Sequence, residues 1–419
     1  MWDIIQSNRR KSAALIILLA AVIMVLGYAI GFSIESQAGG LFGVLVAMII
    51  WVVMMLTSLT GGEQILLASA GAHEVNHDQA PQLFNVVEEM KIAAGLPVMP
   101  RVYIIDSDVP NAFAVGLNAQ RAAIAVTTGL LARLNRDELQ GVIGHEMGHV
   151  ANRDTLFMTL AGVTVGAIIL IADLYLRGMW YGSGRSRRSS SDKGGGQAAA
   201  IMLIVAIVFA ILAPILAQLL YFACSRRREY LADASSAQFT RFPTGLASAL
   251  EKISAYQGPG LQISRAVAPM FTVNPLAAAG TSSVFGTHPP TADRIRVLRS
   301  MGGASLAAYD QAYRSLHNDR AAIGARNLQA ADVPVREASA AQPADTASRL
   351  RQATNIMHKV NQYATIACSC GLTIKLPPGY DQPTVTCPRC KKEHPVALAP
   401  MLAMAQAAGQ SLDRTQITK

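Results

Sequence analysis

The sequence predicts a mainly α-helical, multi-pass membrane protein that also contains a small β-sheet. The 419-residue chain is 51% hydrophobic and only 15% charged, a composition that is unlike a soluble globular protein and that excludes a disordered one. Four uncharged runs are also long enough to cross a bilayer as helices. Five cysteines are too few to staple a chain of this length with disulfides.

The first two hydrophobic runs, Ser12–Ile34 and Leu41–Leu59, are separated by a short connection and predict a transmembrane hairpin within residues 1–60. Basic residues occupy positions 9–11, just before the first run. Because basic residues are retained on the cytoplasmic side, they place the N-terminus in the cytoplasm. The hairpin then returns the chain to that side.

The other two runs, Thr155–Ala172 and Ala198–Ser225, predict a second hydrophobic hairpin at 155–225. The connection between them is rich in glycine, serine and basic residues, which resist export across the membrane. Three interpretations remain open: the pair spans the membrane, inserts shallowly, or packs against the catalytic domain. In each case the chain re-emerges on the side that it left.

The polar segment between the two pairs contains patterns for both helix and strand. Pro81 opens an amphipathic helix over Gln82–Ala94. Short strands are predicted at Arg101–Asp106 and Ala122–Val126. A further helix begins after Asn135, whose side chain can form a capping box with the glutamate three residues later.

The motif H-E-x-x-H occurs twice, at 73–77 and at 145–149. A helix places residues i and i+4 on one face, so both imidazoles can reach one zinc ion, and the intervening glutamate can take a proton from zinc-bound water. The first match lies in a polar stretch of weak helix formers. We interpret His73 and His77 as part of a surface linker.

The second match lies inside the amphipathic helix predicted after Asn135. Two histidines and a glutamate buried on such a face are costly unless they are paired or bind a metal. His145 and His149 are therefore the expected zinc ligands, and Glu146 is the expected general base.

A catalytic zinc is bound by three protein ligands and keeps one position open. Glu229 and Asp233 lie one helical turn apart, directly after the fourth hydrophobic run. In one interpretation Glu229 is the third ligand and Asp233 fixes the orientation of an imidazole. In the other, Glu229 only offsets the charge of Arg226–Arg228 at the membrane border. The spacing alone does not decide between them.

Motifs along residues 1–300 together resemble those of the HtpX-type membrane heat-shock metalloproteases, which are similar to the eukaryotic prenyl-protein proteases. They are P-N-A-F-A-V-G at 110–116, H-E-M-G-H at 145–149, E-Y-L-A-D at 229–233 and F-G-T-H-P-P-T-A-D-R-I at 285–295. The resemblance implies a gluzincin-type zinc protease core, with Glu146 as the base and with assistance to the transition state from Asn111 and His288. The ligands that it implies are His145, His149 and Glu229.

By this resemblance, the expected substrates are unfolded or misassembled membrane proteins, cleaved at the cytoplasmic face of the cell inner membrane. Asn111–Val115 is predicted to form an edge strand, which can bind an extended substrate through its backbone. The alternative is a catalytically silent membrane scaffold. The intact Glu146 argues against a scaffold, since a silent core has no need of the base. Nothing in the sequence specifies an oligomeric state.

The C-terminal region holds a small cysteine module. Its two halves, C-S-C and C-P-R-C, are spaced as in a zinc ribbon, with Cys368, Cys370, Cys387 and Cys390 as the expected ligands of a structural zinc. A redox-active dithiol is the alternative interpretation. Basic residues surround the module, but Tyr380 is the one aromatic residue that interleaves them, so a structural or substrate-recruiting role is favoured over nucleic-acid binding.

These patterns divide the chain into five segments. They are the transmembrane hairpin at 1–60, the metalloprotease domain at 61–320 with the second hydrophobic hairpin inside it, a linker and helix at 321–363, the ribbon-like module at 364–398 and a tail at 399–419.

Overall fold

The structure is a computed structural model that describes residues 2–34, 38–156, 158–160, 228–258, 271–272, 289–323, 333–339 and 346–396, with a few single positions between 164 and 211. These residues are mainly helical, and they include one four-stranded sheet and two two-stranded sheets. The predicted combination of helices with a small sheet is therefore confirmed. Most of the second hydrophobic hairpin and all of the tail lie outside the described residues.

The elements follow in chain order. The helices are α1 (Trp2–Ile34), α2 (Ala38–Ser69), α3 (Pro81–Ala93), α4 (Thr128–Arg133), α5 (Arg136–Ala151), α6 (the described helical residues 228–240), α7 (Pro243–Ser254), α8 (Thr291–Arg299), α9 (Leu306–Leu316) and α10 (Thr346–Val360). The strands are β1 (Ala72–Glu74), β2 (Arg101–Ile105), β3 (Ala112–Val115), β4 (Ala123–Thr127), β5 (Ala364–Ala367), β6 (Thr373–Leu376), β7 (Thr384–Thr386) and β8 (Glu393–Pro395).

Helices α1 and α2 pack against each other as an antiparallel hairpin. Their backbones touch, since a Cβ atom on Gly43 would lie 2.1 Å from the carbonyl oxygen of Gly27. Small residues allow this close approach between helices in lipid. Large apolar side chains such as Phe42 and Ile49 point outward and are exposed. Among the described residues, α2 is the helix that is long and apolar enough to span a membrane, and α1 carries a shorter apolar stretch at Ile16–Phe32.

Arg121 connects the end of α2 to the four-stranded sheet that follows it. The backbone of α2 is non-helical at Gly61. The Arg121 guanidinium donates hydrogen bonds to the carbonyl oxygens of Leu59 (2.8 Å) and Thr60 (2.6 Å), and it forms an ion pair with the buried Glu63 (2.7 Å). These bonds satisfy carbonyl groups that the helix leaves without partners where it is interrupted. The membrane hairpin is thus fixed to the sheet domain.

The four-stranded sheet has the order β1-β2-β4-β3, with β2 and β4 parallel and both outer pairs antiparallel. Strands β2 and β4 confirm the two predicted strands, and β3 lies at an edge, as predicted. The two faces of the sheet pack against different hydrophobic cores. Ile124 and Val126 pack with the helices of the catalytic domain, whereas Tyr103 and Phe113 pack with residues of the membrane hairpin.

The first H-E-x-x-H match lies partly in a strand. His73 and Glu74 belong to β1 and pair with Ile104 and Tyr103 of β2. Both His73 and His77 are exposed. The predicted surface position is confirmed, but the first part of the segment is an edge strand paired with β2 rather than a linker. The absence of a helix here removes the geometry that would bring the two imidazoles onto one face.

Part of the predicted linker lies against the catalytic domain. In the described stretch 333–339, the Arg336 guanidinium donates to the Asp137 carboxylate at 2.7 Å and to the Thr240 carbonyl oxygen at 2.9 Å. The backbone N–H of Ser339 donates to the same carboxylate at 2.8 Å. This stretch joins the first turn of α5 to the end of α6. Further along the chain, α10 packs against α4.

We expect Arg336→Ala to lower the stability of the domain by about 1–2 kcal/mol at neutral pH, the range for a partly exposed charged hydrogen bond. Burial alone would raise the pKa of Asp137, but the hydrogen bonds from Ser339 and Arg336 outweigh it and lower this pKa. A carboxylate with a lowered pKa stabilises the fold above its unfolded-state pKa, and this stabilisation is lost as the pH falls through its folded-state value.

The difference between Arg336→Ala and the unaltered chain should therefore be present at pH 7 and should shrink in acid. Thermal unfolding in detergent across this pH range measures it. Arg351→Ala, on the exposed face of α10, is the control and should change little. A difference for Arg336→Ala that does not depend on pH would contradict this assignment.

Candidate active site

The helix that carries the second H-E-x-x-H match is fixed at its start by a capping box. The Asn135 side chain accepts a hydrogen bond from the backbone N–H of Glu138 at 2.9 Å, and the Glu138 carboxylate accepts one from the backbone N–H of Asn135 at 2.8 Å. This confirms the predicted start of α5. Two turns later the helix presents His145, Glu146 and His149, all of which are buried.

Glycines on α5 allow the neighbouring helices to approach it closely. A Cβ atom on Gly148 would lie 3.1 Å from the Cα atom of Ala232 in α6. A Cβ atom on Gly141 would lie 2.6 Å from the backbone nitrogen of Leu246 in α7. Larger side chains would push these helices away. The close approach brings α6, and with it Glu229, next to the two histidines.

The three residues predicted as zinc ligands are brought together. The His145 Nε2 atom lies 3.5 Å from one carboxylate oxygen of Glu229, and the His149 Nε2 atom lies 3.5 Å from the other. One ligand atom from each residue lies within 4.8 Å of the other two. Two imidazole nitrogens and a carboxylate oxygen are a donor set that zinc binds.

A carboxylate holds the outer nitrogen of each imidazole. The Asp233 carboxylate lies 2.9 Å from His145 Nδ1, which places Asp233 where the sequence predicted an orienting partner. The Asp154 carboxylate lies 3.4 Å from His149 Nδ1, and the sequence analysis missed this residue. Each ring therefore faces Glu229 with Nε2, because its other nitrogen faces a carboxylate. Such outer partners set the tautomer and the direction of metal-binding histidines.

The arginine Arg294 is buried behind this group. Its guanidinium donates to both carboxylate oxygens of Asp233, at 2.7 and 2.8 Å, and to the carbonyl oxygen of Thr272 at 3.0 Å. Burial alone would raise the pKa of Asp233, but the charge of Arg294 outweighs it and lowers this pKa. Asp233 is thus held as a carboxylate that can accept a hydrogen bond from His145.

The buried charges of the site do not balance. Among the described residues, the site contains four buried carboxylates and two buried guanidinium groups. With neutral imidazoles, this leaves a formal excess of two negative charges, and buried charge without compensation is costly. A divalent cation at the three ligand atoms would neutralise the excess, so the residues fit zinc. The carboxylates are those of Glu146, Asp154, Glu229 and Asp233, and the guanidinium groups are those of Arg228 and Arg294.

The same excess of negative charge raises the pKa values of the two histidines. Burial alone would lower the pKa of His149, but its contacts with Asp154 and Glu229 outweigh burial and raise this pKa to about 10. The pKa of His145 is raised against the same burial by its contacts with Asp233 and Glu229. The pocket therefore attracts positive charge, whether as protons or as a metal cation.

Thr272 connects Glu146 to the edge strand β3. Its hydroxyl lies 2.7 Å from the Glu146 carboxylate, to which it can donate a hydrogen bond. Its backbone N–H donates to the carbonyl oxygen of Ala112 at 2.8 Å. Asn111, one residue before β3, is buried, and its side chain accepts a hydrogen bond from the backbone N–H of Ala112. His288 lies outside the described residues.

The sequence analysis also missed Thr272 and Arg294. Thr272 lies in no recognised motif, and its role is visible only from its contacts with α5 and β3. Arg294 lies within H-P-P-T-A-D-R-I, so that motif contained the available signal.

The four cysteines of the C-terminal module also lie together. The sulfur atoms of Cys368 and Cys390 are 3.4 Å apart, those of Cys370 and Cys387 are 3.7 Å apart, and all four lie within 4.8 Å of one another. They come from the turns of two hairpins, β5–β6 and β7–β8. Backbone N–H groups of Cys390 and Arg389 lower the pKa of Cys387 to about 6, which favours the thiolate form that binds metals.

A histidine pair on one helix, a buried glutamate between those histidines and a second glutamate from another helix are typical of a metal-dependent peptidase. A family model described as Peptidase family M48 matches residues 77–302. The chain belongs to peptidase family M48, and the resemblance to the HtpX-type proteases is confirmed. The C-terminal cysteine module lies beyond the residues that this match covers.

Several curated relatives are described as "Protease HtpX homolog". The protein of Dictyoglomus thermophilum is 42% identical over 301 residues, which cover 72% of this chain and 95% of the relative. The protein of Thermoanaerobacter pseudethanolicus is also 42% identical, and 98% of it is covered. That of Streptococcus uberis is 40% identical over 302 residues and is covered completely. This chain is therefore a membrane metalloprotease.

Among solved structures, the crystal structure of S. mikatae Ste24p is similar at 18% identity and a TM-score of 0.37. The similarity covers 71% of this chain and 67% of that one.

We expect changing both His73 and His77 to Ala to leave the metal content and the rate of peptide cleavage nearly unchanged, because both side chains are exposed and neither belongs to the buried group of His145, His149 and Glu229. The matched change, His145 and His149 both to Ala, should remove the core metal and the activity. Metal analysis of both purified proteins makes the comparison. If the metal ion were lost only in the His73 and His77 variant, the metal site would lie at 73–77 and not at 145–149.

Proposed function

We propose that the protein is a zinc endopeptidase of the gluzincin type, held in the membrane by several spans, that cleaves unfolded or misassembled membrane proteins. The observation that carries this proposal is the buried group of His145, His149 and Glu229 beside Glu146. Its donor atoms suit zinc, and its excess negative charge calls for a divalent cation.

The chemistry that a bound zinc supplies at such a site is activation of water and polarisation of the scissile carbonyl. Glu146 accepts the proton of the attacking water and passes it to the leaving nitrogen. The contact with Thr272 holds one oxygen of this carboxylate in place. Asn111 and His288 are proposed to donate hydrogen bonds to the oxyanion, on the strength of the family resemblance.

The edge strand β3 suits the binding of an extended substrate. The carbonyl oxygen of Ala112 accepts a hydrogen bond from the backbone of Thr272, the kind of bond that an added substrate strand makes. Backbone pairing reads little of the side-chain sequence, which suits a protease for unfolded chains in protein quality control and the stress response.

The membrane arrangement follows from the hairpin of α1 and α2. Because these helices are antiparallel, the catalytic domain after α2 lies on the side of the N-terminus, where the basic residues 9–11 favour the cytoplasm. Arg121 and Glu63 fix the sheet close to the end of α2. We place the active site at the cytoplasmic face of the inner membrane, with the second hydrophobic pair at 155–225 as further spans.

For the cysteine module we propose a structural zinc in a ribbon of two hairpins. The helix before it, α10, packs against α4, and Lys359 donates to the carbonyl oxygen of Asp78 at 3.0 Å. The end of α10, just before the module, is therefore held next to Asp78. This position suits a role in recruiting substrate chains to the catalytic domain, with two zinc ions in each protein chain.

Glu146→Gln tests the mechanism directly. The glutamine keeps the shape of the side chain but accepts a proton poorly, so we expect the core zinc to stay and cleavage of an unstructured reporter to fall by about 10²–10⁴-fold. Glu229→Ala removes a ligand and should abolish core zinc and cleavage together, while the ribbon zinc persists. Asp233→Ala should weaken core zinc affinity by about 10–100-fold.

The matched control is Glu251→Gln, an exposed glutamate on α7 outside the site, which should cleave at the unaltered rate. A chelator should stop cleavage by the unaltered chain, and added zinc should restore it. If Glu146→Gln cleaved as fast as the unaltered chain in detergent, the protein would be a catalytically silent scaffold rather than a protease.

The proposed topology predicts that exposed positions before and after the second hydrophobic pair share one compartment. Cysteines introduced at Asp78 and at Asp319 should react with an impermeant maleimide in inverted membrane vesicles but not in whole cells. The unsubstituted chain gives the background from its own cysteines. Reaction of the two positions from opposite sides would sink the proposal, since one zinc cannot be bound from both sides of a bilayer.

A further inference from the structure

The carboxylate of Asp154 lies fully buried in the site and has a second partner besides His149. Only 1% of this residue is exposed. One of its oxygens lies 3.4 Å from His149 Nδ1, and the other lies 3.6 Å from Nε of Arg228, which is also buried. The side chain therefore lies between a proposed zinc ligand and an arginine.

The two residues come from opposite ends of the second hydrophobic pair. Asp154 directly precedes the run Thr155–Ala172; it follows the turn at 152–153 that ends α5, and the residues described directly after it are helical. Arg228 follows the run Ala198–Ser225 and directly precedes the proposed ligand Glu229. The contact between Asp154 and Arg228 thus joins the residue before the hydrophobic insertion to a residue just after it, beside the proposed zinc ligands.

The arrangement repeats the one on the other side of the site. There, Asp233 faces His145 Nδ1 and is paired with Arg294 at 2.7 Å. Here, Asp154 faces His149 Nδ1 and is paired with Arg228. A buried carboxylate that faces an imidazole needs a compensating positive charge, and each arginine supplies one. Both histidines therefore have an outer carboxylate and an arginine behind it.

We propose that Asp154 and Arg228 form a positioning pair that orients His149 toward the metal and fixes both ends of the hydrophobic insertion to the metal site. The pair acts through His149 and does not touch the substrate. Because closing a long insertion at its base costs chain entropy, a buried ion pair there also helps to hold Glu229 in register with α5. The proposal rests on the proposed function in taking zinc as the metal.

The test measures metal binding by the full-length protein in detergent. Zinc affinity is obtained by competition with a chelator, and the visible spectrum of the cobalt-substituted protein reports the geometry of the ligands. Glu229→Ala supplies the signal of the cysteine module alone, which is subtracted. We expect Asp154→Asn to weaken core zinc binding by about 10–100-fold and to alter the cobalt spectrum.

Arg228→Gln should weaken binding in the same direction. The double variant Asp154→Asn with Arg228→Gln should lose less than the sum of the two single losses, because the partners act as one unit. The matched control is Asp310→Asn, which breaks the ion pair between the buried Asp310 carboxylate and the partly exposed Arg314, at 2.6 Å and outside the site. It should lower the melting temperature without changing core zinc affinity or the cobalt spectrum.

The possible results distinguish a failure of the positioning pair from a failure of the proposed function. If the unaltered chain binds no metal at the core, the proposed function fails. If it binds metal and Asp154→Asn matches it in affinity and spectrum, the positioning pair is wrong and the proposed function stands. Equal losses of affinity in Asp154→Asn and Asp310→Asn would show only general destabilisation and would also overturn the pair.

Discussion

The buried charges between α5 and α6 are the constraint on which the rest of the structure depends. Carboxylates outnumber guanidinium groups there by two among the described residues, and charge without compensation is not stable in a buried place. Each group is consequently held by more than one partner. Glu229 faces both imidazoles, and each imidazole faces a second carboxylate. The same excess of negative charge favours a bound cation in the pocket.

Such a pocket can form only where two helices come unusually close. Gly141 and Gly148 lower the helix propensity of α5 by about 1 kcal/mol each relative to alanine. Because these glycines have no side chain, α6 and α7 can approach the backbone of α5 to within contact distance. The capping box at Asn135 compensates for part of that loss at the start of the helix. The helix is therefore stabilised by its cap and by packing rather than by its own propensity.

The four-stranded sheet joins the membrane hairpin to the catalytic core. Strands β2, β3 and β4 are buried on both faces, as expected for strands covered on two sides, whereas the outer strand β1 is largely exposed. Phe113 in β3 contacts Phe271 on the hairpin face, with ring centroids 4.8 Å apart. Thr272, the next residue, contacts Glu146 on the other side of the same strand. The edge strand β3 is thus placed between the α1–α2 hairpin and Glu146.

The sequence by itself determined the features that depend on local geometry. Helical spacing put His145, Glu146 and His149 on one helix, and the strand pattern placed Asn111–Val115 at an edge. Tertiary structure alone decided which segments far apart in the chain meet. Only the fold shows that Glu229 lies beside the two histidines rather than at the surface, and that Asp154 and Thr272 contact the site. Only the fold shows that 73–74 pair as a strand and that 333–339 pack against α5. The physical reason is that spacing fixes only the direction of a side chain, whereas partners for buried charges and unpaired strand edges come from wherever the fold brings them.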